Sequence, residues 1–128
     1  MEWQAAAFKA LGEPTRLKLA ALLAGFGEAC VCQLAEALGE PDFKVSRHLS
    51  VLRSAGLVAS RRDGTWIYYR LTPPESPFVA SLHECLRGPV AGQAAVRTGI
   101  ARLQQTGCGP SANKAEPAPR GSARATSR

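Results

Sequence analysis

Two cysteines separated by a single residue could bind one soft ion between them. Cys30 and Cys32 flank Val31 in the segment EACVCQL, where a short helix is predicted to begin. Inside a helix, side chains at positions i and i+2 point to different sides, but at a frayed helix start they can converge. The positive end of the helix favours the thiolate form of cysteine, and thiolates select soft, thiophilic ions. The pair therefore indicates a binding site for a metal or metalloid ion.

A third thiolate would complete a three-sulfur site for a soft ion. Cys108, in LQQTGCGPS, is our first candidate, because it starts a segment that could fold back onto the pair. Cys85 is the alternative, although its place on an apolar stripe favours a buried structural thiol. Two-coordinate binding by Cys30 and Cys32 alone remains open. The competing interpretation is that all the cysteines are inert core residues.

Short helices must position the cysteine pair, and the spacing of apolar residues and glycines predicts several of them. The predicted helices cover residues 5–11, 14–24, 31–38 and 42–55, with Asp42 as the N-cap of the fourth and Gly56 just after its end. A β-hairpin is predicted over residues 57–62 and 65–71, with Asp63-Gly64 as its turn. Helical spacing resumes at Phe78, is interrupted at Gly88-Pro89, and continues to about Gln105.

The fourth predicted helix has the faces that a DNA recognition helix needs. On a helical wheel, Val45, Leu49 and Leu52 fall within about 60° of one another and form an apolar seam. The polar residues are Arg47, Ser50 and Ser54 on the opposite side, with Lys44 and Ser46 on the flanks. A small, polar, basic face can enter the major groove, contact phosphates and hydrogen-bond to base edges. The alternative is an ordinary surface helix.

The predicted hairpin is itself basic and follows the helix at the distance expected of a wing. Its tip carries Arg61, Arg62, Thr65 and Trp66, which could straddle a phosphate backbone or a minor groove. Packing against the helices is the alternative for the aromatic residues, and we favour it for Tyr69. Helix, turn, helix and hairpin together predict a winged helix-turn-helix, a mainly α fold with a β-hairpin (α+β).

Charge and composition agree with a small DNA-binding protein. The chain has 128 residues and a net charge of +6, and residues 44–70 carry six basic residues against Asp63 alone. Such a block suits a polyanion, most simply nucleic acid. With 45% hydrophobic and 20% charged residues, the chain is not wholly disordered. We expect one winged helix-turn-helix domain over residues 1–106 and a disordered basic tail over 107–128.

Neither a membrane nor a secretory pathway is indicated by the sequence. No apolar run approaches the roughly 18 residues of a membrane helix, and the first residues lack the layout of a signal peptide. We therefore expect a cytoplasmic protein without a membrane partner, in which cysteines serve as thiols or ligands rather than as structural disulfides.

Four segments give the chain a resemblance to a known family. LGEPTRLKLAALL, EACVCQLAEAL, KVSRHLSVLRSAGLV and RRDGTWIYYRL follow in that order over about residues 8–71. This stretch resembles the arsenical-resistance repressors, also called ArsR/SmtB metalloregulators. The family's arsenite and cadmium/lead sensors share a C-V-C-D-L signature. This chain departs from it at Gln33, where Asp is usual, and at Ala35, where some members have a third cysteine.

The resemblance implies a homodimeric repressor that binds double-stranded operator DNA and joins its subunits through the terminal helices. It implies that Lys44, Ser46, Arg47 and His48 face the operator, although His48 lies about 60° from the seam and is alternatively a half-buried spacer. It also implies As(III) or Sb(III) as the inducer, with Cd(II) or Pb(II) as alternatives and no organic cofactor.

Two other functional classes compete with a metalloid sensor. No phosphate-binding loop, H-E-x-x-H motif or Ser-His-Asp set supports an enzyme, so we predict none. A thiol-redox repressor is the stronger rival, since a disulfide or persulfide at Cys30, Cys32 or Cys108 could switch the same DNA-binding unit. Zinc and nickel sensing fits poorly, because His83 and Glu84 are adjacent and point about 100° apart.

Overall fold

Six α-helices, one π-helical turn and three strands make up residues 1–105, the part of the chain that the computed structural model describes. The helices are α1 (Glu2–Leu11), α2 (Pro14–Phe26), α3 (Val31–Leu38), α4 (Asp42–Ser54), α5 (Pro77–Cys85) and α6 (Ala94–Gln105), with the π-helical turn at Leu86–Val90. The strands are β1 (Ala29–Cys30), β2 (Val58–Asp63) and β3 (Trp66–Leu71). The predicted tail at 107–128, including Cys108, lies outside the described residues, so the domain boundary at residue 106 stays a prediction.

Helix α2 is the centre of the core. Five consecutive residues of this helix are buried, namely Leu19, Ala20, Ala21, Leu22 and Leu23. A helix that is buried around its circumference must be covered on several sides. Helices α1, α4 and α6, the π-helical turn and strand β3 all pack against α2.

The predicted helix-turn-helix is confirmed in α3 and α4. The seam residues Val45, Leu49 and Leu52 are each 0% exposed, while Arg47, Ser50 and Ser54 on the opposite side are exposed. Gly56 follows the end of α4 with a φ of 80°, a left-handed conformation that glycine adopts without strain. The start of α4 was misplaced by one residue, because Pro41 is the N-cap and Asp42 is already helical.

The sheet contains one strand that the sequence did not predict. Strand β1 pairs with β3 in antiparallel register, with Ala29 opposite Tyr69 and Cys30 opposite Tyr68, and gives the strand order β1-β3-β2. The predicted hairpin is confirmed as β2 and β3, but Asp63 pairs with Trp66, so the loop residues are Gly64 and Thr65. Tyr69 is buried in the main core, as predicted.

The prediction that Cys85 is a buried thiol is wrong, because Cys85 is exposed. The inward side of α5 and the following turn carries Val79, His83 and Leu86, spaced four and three residues apart. Of the apolar residues at helical spacing, Leu86 is buried and Phe78 and Leu82 pack partly buried against the core, whereas Cys85 lies outside the buried stripe. Burial lowers the pKa of His83 below its usual value, with a smaller contribution from the charge of Arg87.

Helix α6 closes the core over α2 and α3. The Arg102 guanidinium donates a hydrogen bond to the Ala37 carbonyl in the last turn of α3, at 3.1 Å. Gly99 packs so closely on α2 that a Cβ there would lie 2.7 Å from Leu22 Cδ2. No helix within residues 1–105 is long and apolar enough to cross a membrane.

We expect Gly99→Ala to destabilise the fold. Overpacking against the buried Leu22 costs about 1–3 kcal/mol, and the better helix propensity of alanine offsets about 1 kcal/mol of that cost. Gly88→Ala is the matched control, since a Cβ at Gly88 meets nothing within 4 Å. Urea unfolding of both variants measures the difference. Equal free energies of unfolding for the two variants would mean that α6 is not held tightly against α2.

Candidate dithiol and DNA-binding site

The structure brings the two cysteine sulfurs into contact. The Cys30 and Cys32 Sγ atoms lie 3.1 Å apart. Cys30 is 2% exposed and ends strand β1 in an extended conformation as the N-cap of α3, while Cys32 is half-buried in the first turn. The change from extended to helical backbone between the two residues makes this convergence possible. Two sulfurs at this distance can ligate one soft ion together.

Gln33 closes the start of α3 and was not identified from the sequence. The Cys30 backbone N–H donates a hydrogen bond to Gln33 Oε1 at 3.0 Å, and both residues are buried. This bond belongs to a capping box, in which Glu or Gln three residues after the N-cap reaches back to it. The signal was present in C-V-C-Q, but an N-cap cysteine in place of Ser or Thr concealed it. The departure from the family's Asp at this position thus has a structural role here.

An ion pair joins the wing to the segment of Cys30 and Cys32, which is called the dithiol segment after the reduced form of that pair. Glu28 precedes β1 and accepts two hydrogen bonds from Arg61 of strand β2, at 2.7 Å from Nε and 2.7 Å from Nη2. The Arg61 guanidinium also lies over the Tyr68 ring, with Cζ 4.7 Å from the ring centroid. The sequence predicted Arg61 as a DNA contact and did not single out Glu28. Here Arg61 points toward the dithiol segment.

Trp66 was predicted as a DNA contact at the wing tip, but it lies beside the cysteine pair. Its half-buried ring packs with Cys32 against a small cluster formed by the buried Cys30 and Tyr68. Arg62 and Thr65 are exposed on the wing, where they were predicted. Of the four predicted wing residues, Arg62 and Thr65 are therefore the ones that the fold leaves facing solvent.

The third thiolate of a three-coordinate site is not found in the described part of the chain. Within residues 1–105, no three potential ligands of the types His, Cys, Asp or Glu cluster together, so Cys85 does not join Cys30 and Cys32 in this subunit. Cys108, the first candidate from the sequence, lies outside the described residues.

The outer face of α4 is polar and basic, as a recognition helix requires. Lys44, Arg47 and Ser50 are exposed and Ser46 is half-buried. The Arg47 guanidinium lies over the ring of Phe43, with Cζ 5.9 Å from the centroid, and Phe43 is 62% exposed. Phe43 was not predicted as a functional residue, although its position two residues before Val45 places it opposite the seam. Lys44 is also within 3.6 Å of Glu40, one turn earlier.

His48 faces helix α2. Its Nδ1 atom lies 3.4 Å from Arg16 Nη1 and 3.9 Å from Glu13 Oε1. Glu13 is the N-cap of α2, and the hydrogen bond from the Arg16 backbone N–H is the main reason why the pKa of its carboxyl is below the usual value. His48 therefore connects the recognition helix to the start of α2, which fits the half-buried alternative considered for it.

These elements define a winged helix-turn-helix DNA-binding protein with a dithiol at the start of the first helix of its helix-turn-helix. The family model described as "Bacterial regulatory protein, arsR family" matches residues 13–60 of this chain. The arsenic resistance transcriptional regulator ArsR1 of Pseudomonas putida is 42% identical over 101 residues, which cover 78% of this chain and 77% of the relative. ArsR2 of the same species is 46% identical over 80 residues, which cover 62% of this chain and 67% of the relative. The chain belongs to the arsR family of bacterial regulatory proteins, as the resemblance predicted.

Other relatives and solved structures agree with this assignment. A cadmium resistance regulatory protein of Staphylococcus aureus, a CadC homolog, is 39% identical over 64 residues. These residues cover 50% of this chain and 53% of the relative. Reduced HlyU from Vibrio cholerae superposes with a TM-score of 0.60 at 27% identity, covering 72% and 92% of the two chains. The homodimeric winged helix-turn-helix domain of Mb0332 from Mycobacterium bovis gives a TM-score of 0.58 at 36% identity, covering 70% and 79%.

We expect Gln33→Ala to lower the free energy of unfolding by about 1–3 kcal/mol, because it leaves the buried Cys30 N–H without this acceptor. Gln104→Ala is the control, since Gln104 is an exposed glutamine of α6 and should change stability by less than about 0.5 kcal/mol. Urea unfolding of the reduced proteins provides the measurement. If both variants unfold like the wild type, Gln33 does not stabilise the start of α3.

Proposed function

We propose that this chain is a transcriptional repressor that binds operator DNA and leaves it when a trivalent metalloid binds its dithiol. The observation that carries the proposal is the 3.1 Å contact between the Cys30 and Cys32 sulfurs at the start of α3. Helix α3 packs against the recognition helix α4, so a ligand at this point acts next to the DNA-binding surface. The names of the P. putida relatives, both arsenic resistance regulators, support arsenite as the inducer.

The donor set decides which inducers fit. Two thiolates offer soft ligands and no oxygen or imidazole, which favours As(III) or Sb(III), with Cd(II) and Pb(II) as alternatives. The cadmium regulator among the relatives supports keeping these alternatives. We propose Cys108 as the third ligand, from the same or the partner subunit, and Cys85 as the alternative. The exposure of Cys85 leaves its thiol accessible at the surface of this subunit.

A dimer would present two recognition helices to the two halves of an inverted repeat. Trp3 and Phe8 of α1 each meet Phe78 of α5 edge to face, with centroids 5.5 Å apart. Trp3 and Phe8 are exposed in the subunit, which supports burial of this aromatic cluster against a second copy. The cluster joins the N-terminal helix α1 to α5, so it includes one of the terminal helices that the family resemblance implies at the interface, and the solved Mb0332 domain is described as homodimeric.

DNA contacts are proposed for the exposed polar face of α4 and for the wing. Lys44, Ser46, Arg47 and Ser50 would enter the major groove, and Arg62 and Thr65 would contact the backbone beside it. The Phe43 ring packs against the Arg47 guanidinium and adds an apolar surface suited to a thymine methyl group. We propose a binding role rather than a catalytic one, exercised on DNA in the cytoplasm.

Ligand binding would weaken operator binding through α3. Drawing Cys30 and Cys32 onto one ion changes the first turn of α3, and α3 braces α4, so the two recognition helices no longer match their half-sites. A coupling free energy of roughly 1–3 kcal/mol would weaken operator binding about 5- to 150-fold.

A thiol-redox repressor is the second candidate, and the same sulfur contact favours it. Removal of two electrons and two protons from Cys30 and Cys32 by a peroxide or polysulfide would join sulfurs that already touch. Operator gel shifts of the reduced protein with arsenite, antimonite, cadmium, lead and zinc, run beside peroxide- and polysulfide-treated protein, separate the two candidates. Release by arsenite under reducing conditions supports the first candidate, and release only by oxidants supports the second.

Arg47→Ala should abolish specific operator binding while the protein remains folded, because Arg47 lies opposite the buried seam. Arg62→Ala should weaken binding to all sequences and reduce the salt slope by about 1, as expected for a phosphate contact. Fluorescence anisotropy at several salt concentrations measures both effects. Unchanged operator affinity in folded Arg47→Ala would contradict the placement of α4 in the groove.

Cys30→Ser and Cys32→Ser should each keep operator binding and lose release by arsenite. Serine preserves the size of the side chain but supplies no soft thiolate at neutral pH. The expected result is a repressor that stays on its operator in arsenite, read by gel shift. Ser81→Ala, at an exposed position of α5, serves as the control and should be released like the wild type.

Cys108→Ser and Cys85→Ser separate the two candidates for the third ligand. Cys108→Ser should weaken arsenite binding without necessarily abolishing release, and it should reduce the sulfur neighbours of arsenic seen by X-ray absorption. Three sulfur neighbours in Cys108→Ser with fewer in Cys85→Ser would assign the third thiolate to α5 instead.

A further inference from the structure

Arg61 is held inside the subunit by contacts that a phosphate-binding arginine does not need. Its side chain is 30% exposed and that of Glu28 is 15% exposed, and they form a two-bond ion pair with both distances at 2.7 Å. Paired hydrogen bonds between guanidinium and carboxylate fix geometry as well as supplying energy. Arg61 also lies over the Tyr68 ring, a cation–π contact. The neighbouring Arg62, in contrast, is exposed.

The sheet register places this arginine in one row with the dithiol. Cys30 of β1 is directly opposite Tyr68 of β3, and Tyr68 is directly opposite Arg61 of β2. Directly opposite residues of antiparallel strands project from the same face of the sheet. Cys30, Tyr68 and Arg61 therefore form a continuous row across all three strands.

The Glu28–Arg61 pair spans the same three strands. Glu28 lies two residues before Cys30, and its carboxylate meets the guanidinium above the middle strand. Arg61 Nη1 is also 3.7 Å from the carboxylate of Asp63, the last residue before the wing loop Gly64-Thr65. Two polar links thus run from the segment that carries the dithiol to the tip of the wing.

We propose that Arg61 is a positioning residue that couples the state of the dithiol to the wing, acting through Glu28 and Tyr68 rather than by contacting DNA. This inference rests on the proposed function, because it assigns to the metalloid site a second route to the DNA-binding surface besides α3 and α4. When the Cys30 and Cys32 thiols are ligated, the end of β1 adjusts, Glu28 moves with it, and the ion pair carries that movement to β2 and the wing loop.

The coupling is tested with the conservative variants Glu28→Gln and Arg61→Lys. Gln keeps the shape of Glu28 but removes its charge, and Lys keeps the charge of Arg61 but removes the two-donor fork. Arg70→Lys is the matched control, because Arg70 is an exposed arginine of β3. Circular dichroism and the thermal midpoint establish that each full-length variant is folded.

The first measurement does not depend on which inducer is natural. In the reduced protein, phenylarsine oxide reacts with the two neighbouring thiols of Cys30 and Cys32, forming two As–S bonds while its oxygen leaves as water with the two thiol protons. In the wild type and in Arg70→Lys, ligation should shift the Gly64 amide resonance at the wing loop. In Glu28→Gln and Arg61→Lys, the probe should bind with the same stoichiometry, but the Gly64 shift should be largely lost.

The second measurement uses operator DNA and arsenite. We expect the ratio of operator dissociation constants with and without arsenite to fall by about fivefold in Glu28→Gln and in Arg61→Lys, while arsenite affinity is unchanged. The double variant should show no further loss, because both single changes break the same link. A merely structural role would change stability or both dissociation constants together and leave the ratio as in the wild type.

The outcomes separate this inference from the proposed function. If the wild type is not released by arsenite, the proposed function fails, and the Gly64 shift still decides the coupling. If both folded variants show the same Gly64 shift and the same ratio of operator dissociation constants as the wild type, the proposed role of Arg61 is overturned. An equal loss in Arg70→Lys would also overturn it, because the effect would then belong to any arginine on this sheet. If Arg61→Lys does not fold, Glu28→Gln alone decides between these results.

Discussion

The pairing of the two-residue strand β1 with β3 is the constraint on which the rest of this protein depends. It holds Cys30 opposite Tyr68 and fixes the point at which extended backbone becomes helix α3. Because the backbone changes direction there, Cys30 and Cys32 turn their sulfurs toward each other instead of to different sides of a helix. The same pairing attaches the segment to the wing, so the candidate sensor and part of the DNA-binding surface share one sheet.

The basic residues of the central region divide into two groups with different physical roles. Lys44, Arg47 and Arg62 are exposed and available to a polyanion. Arg53 and Arg61 make contacts within the fold, with Ser60 and with Glu28. Counting charges along the chain cannot separate the groups, since every arginine contributes equally to net charge. Their surroundings separate them: the exposed Arg53 bonds to Ser60, and the partly buried Arg61 guanidinium is paired with Glu28, as a charge withdrawn from water must be.

The recognition helix is held by a packed core on one side and by polar contacts with α2 and β2. Its seam is fully buried, so α4 cannot rotate without opening a cavity. His48 meets the start of α2, and Arg53 donates a hydrogen bond to Ser60 of β2 at 3.1 Å. Movement in α3 or in the sheet would therefore reach α4 through several contacts at once, which suits a switch between two arrangements.

The sequence by itself determined the helices, the hairpin, the seam of α4 and the close approach of Cys30 and Cys32. Each of these follows from local rules, namely apolar periodicity, glycines at helix ends, and the geometry of a helix start. Tertiary structure decided the rest. Strand β1 is too short to have a pattern, and Cys85 is exposed because the buried stripe of α5 passes through His83. The partner of Arg61 lies 33 residues away, and only the order of strands in the folded sheet could bring Glu28 to it.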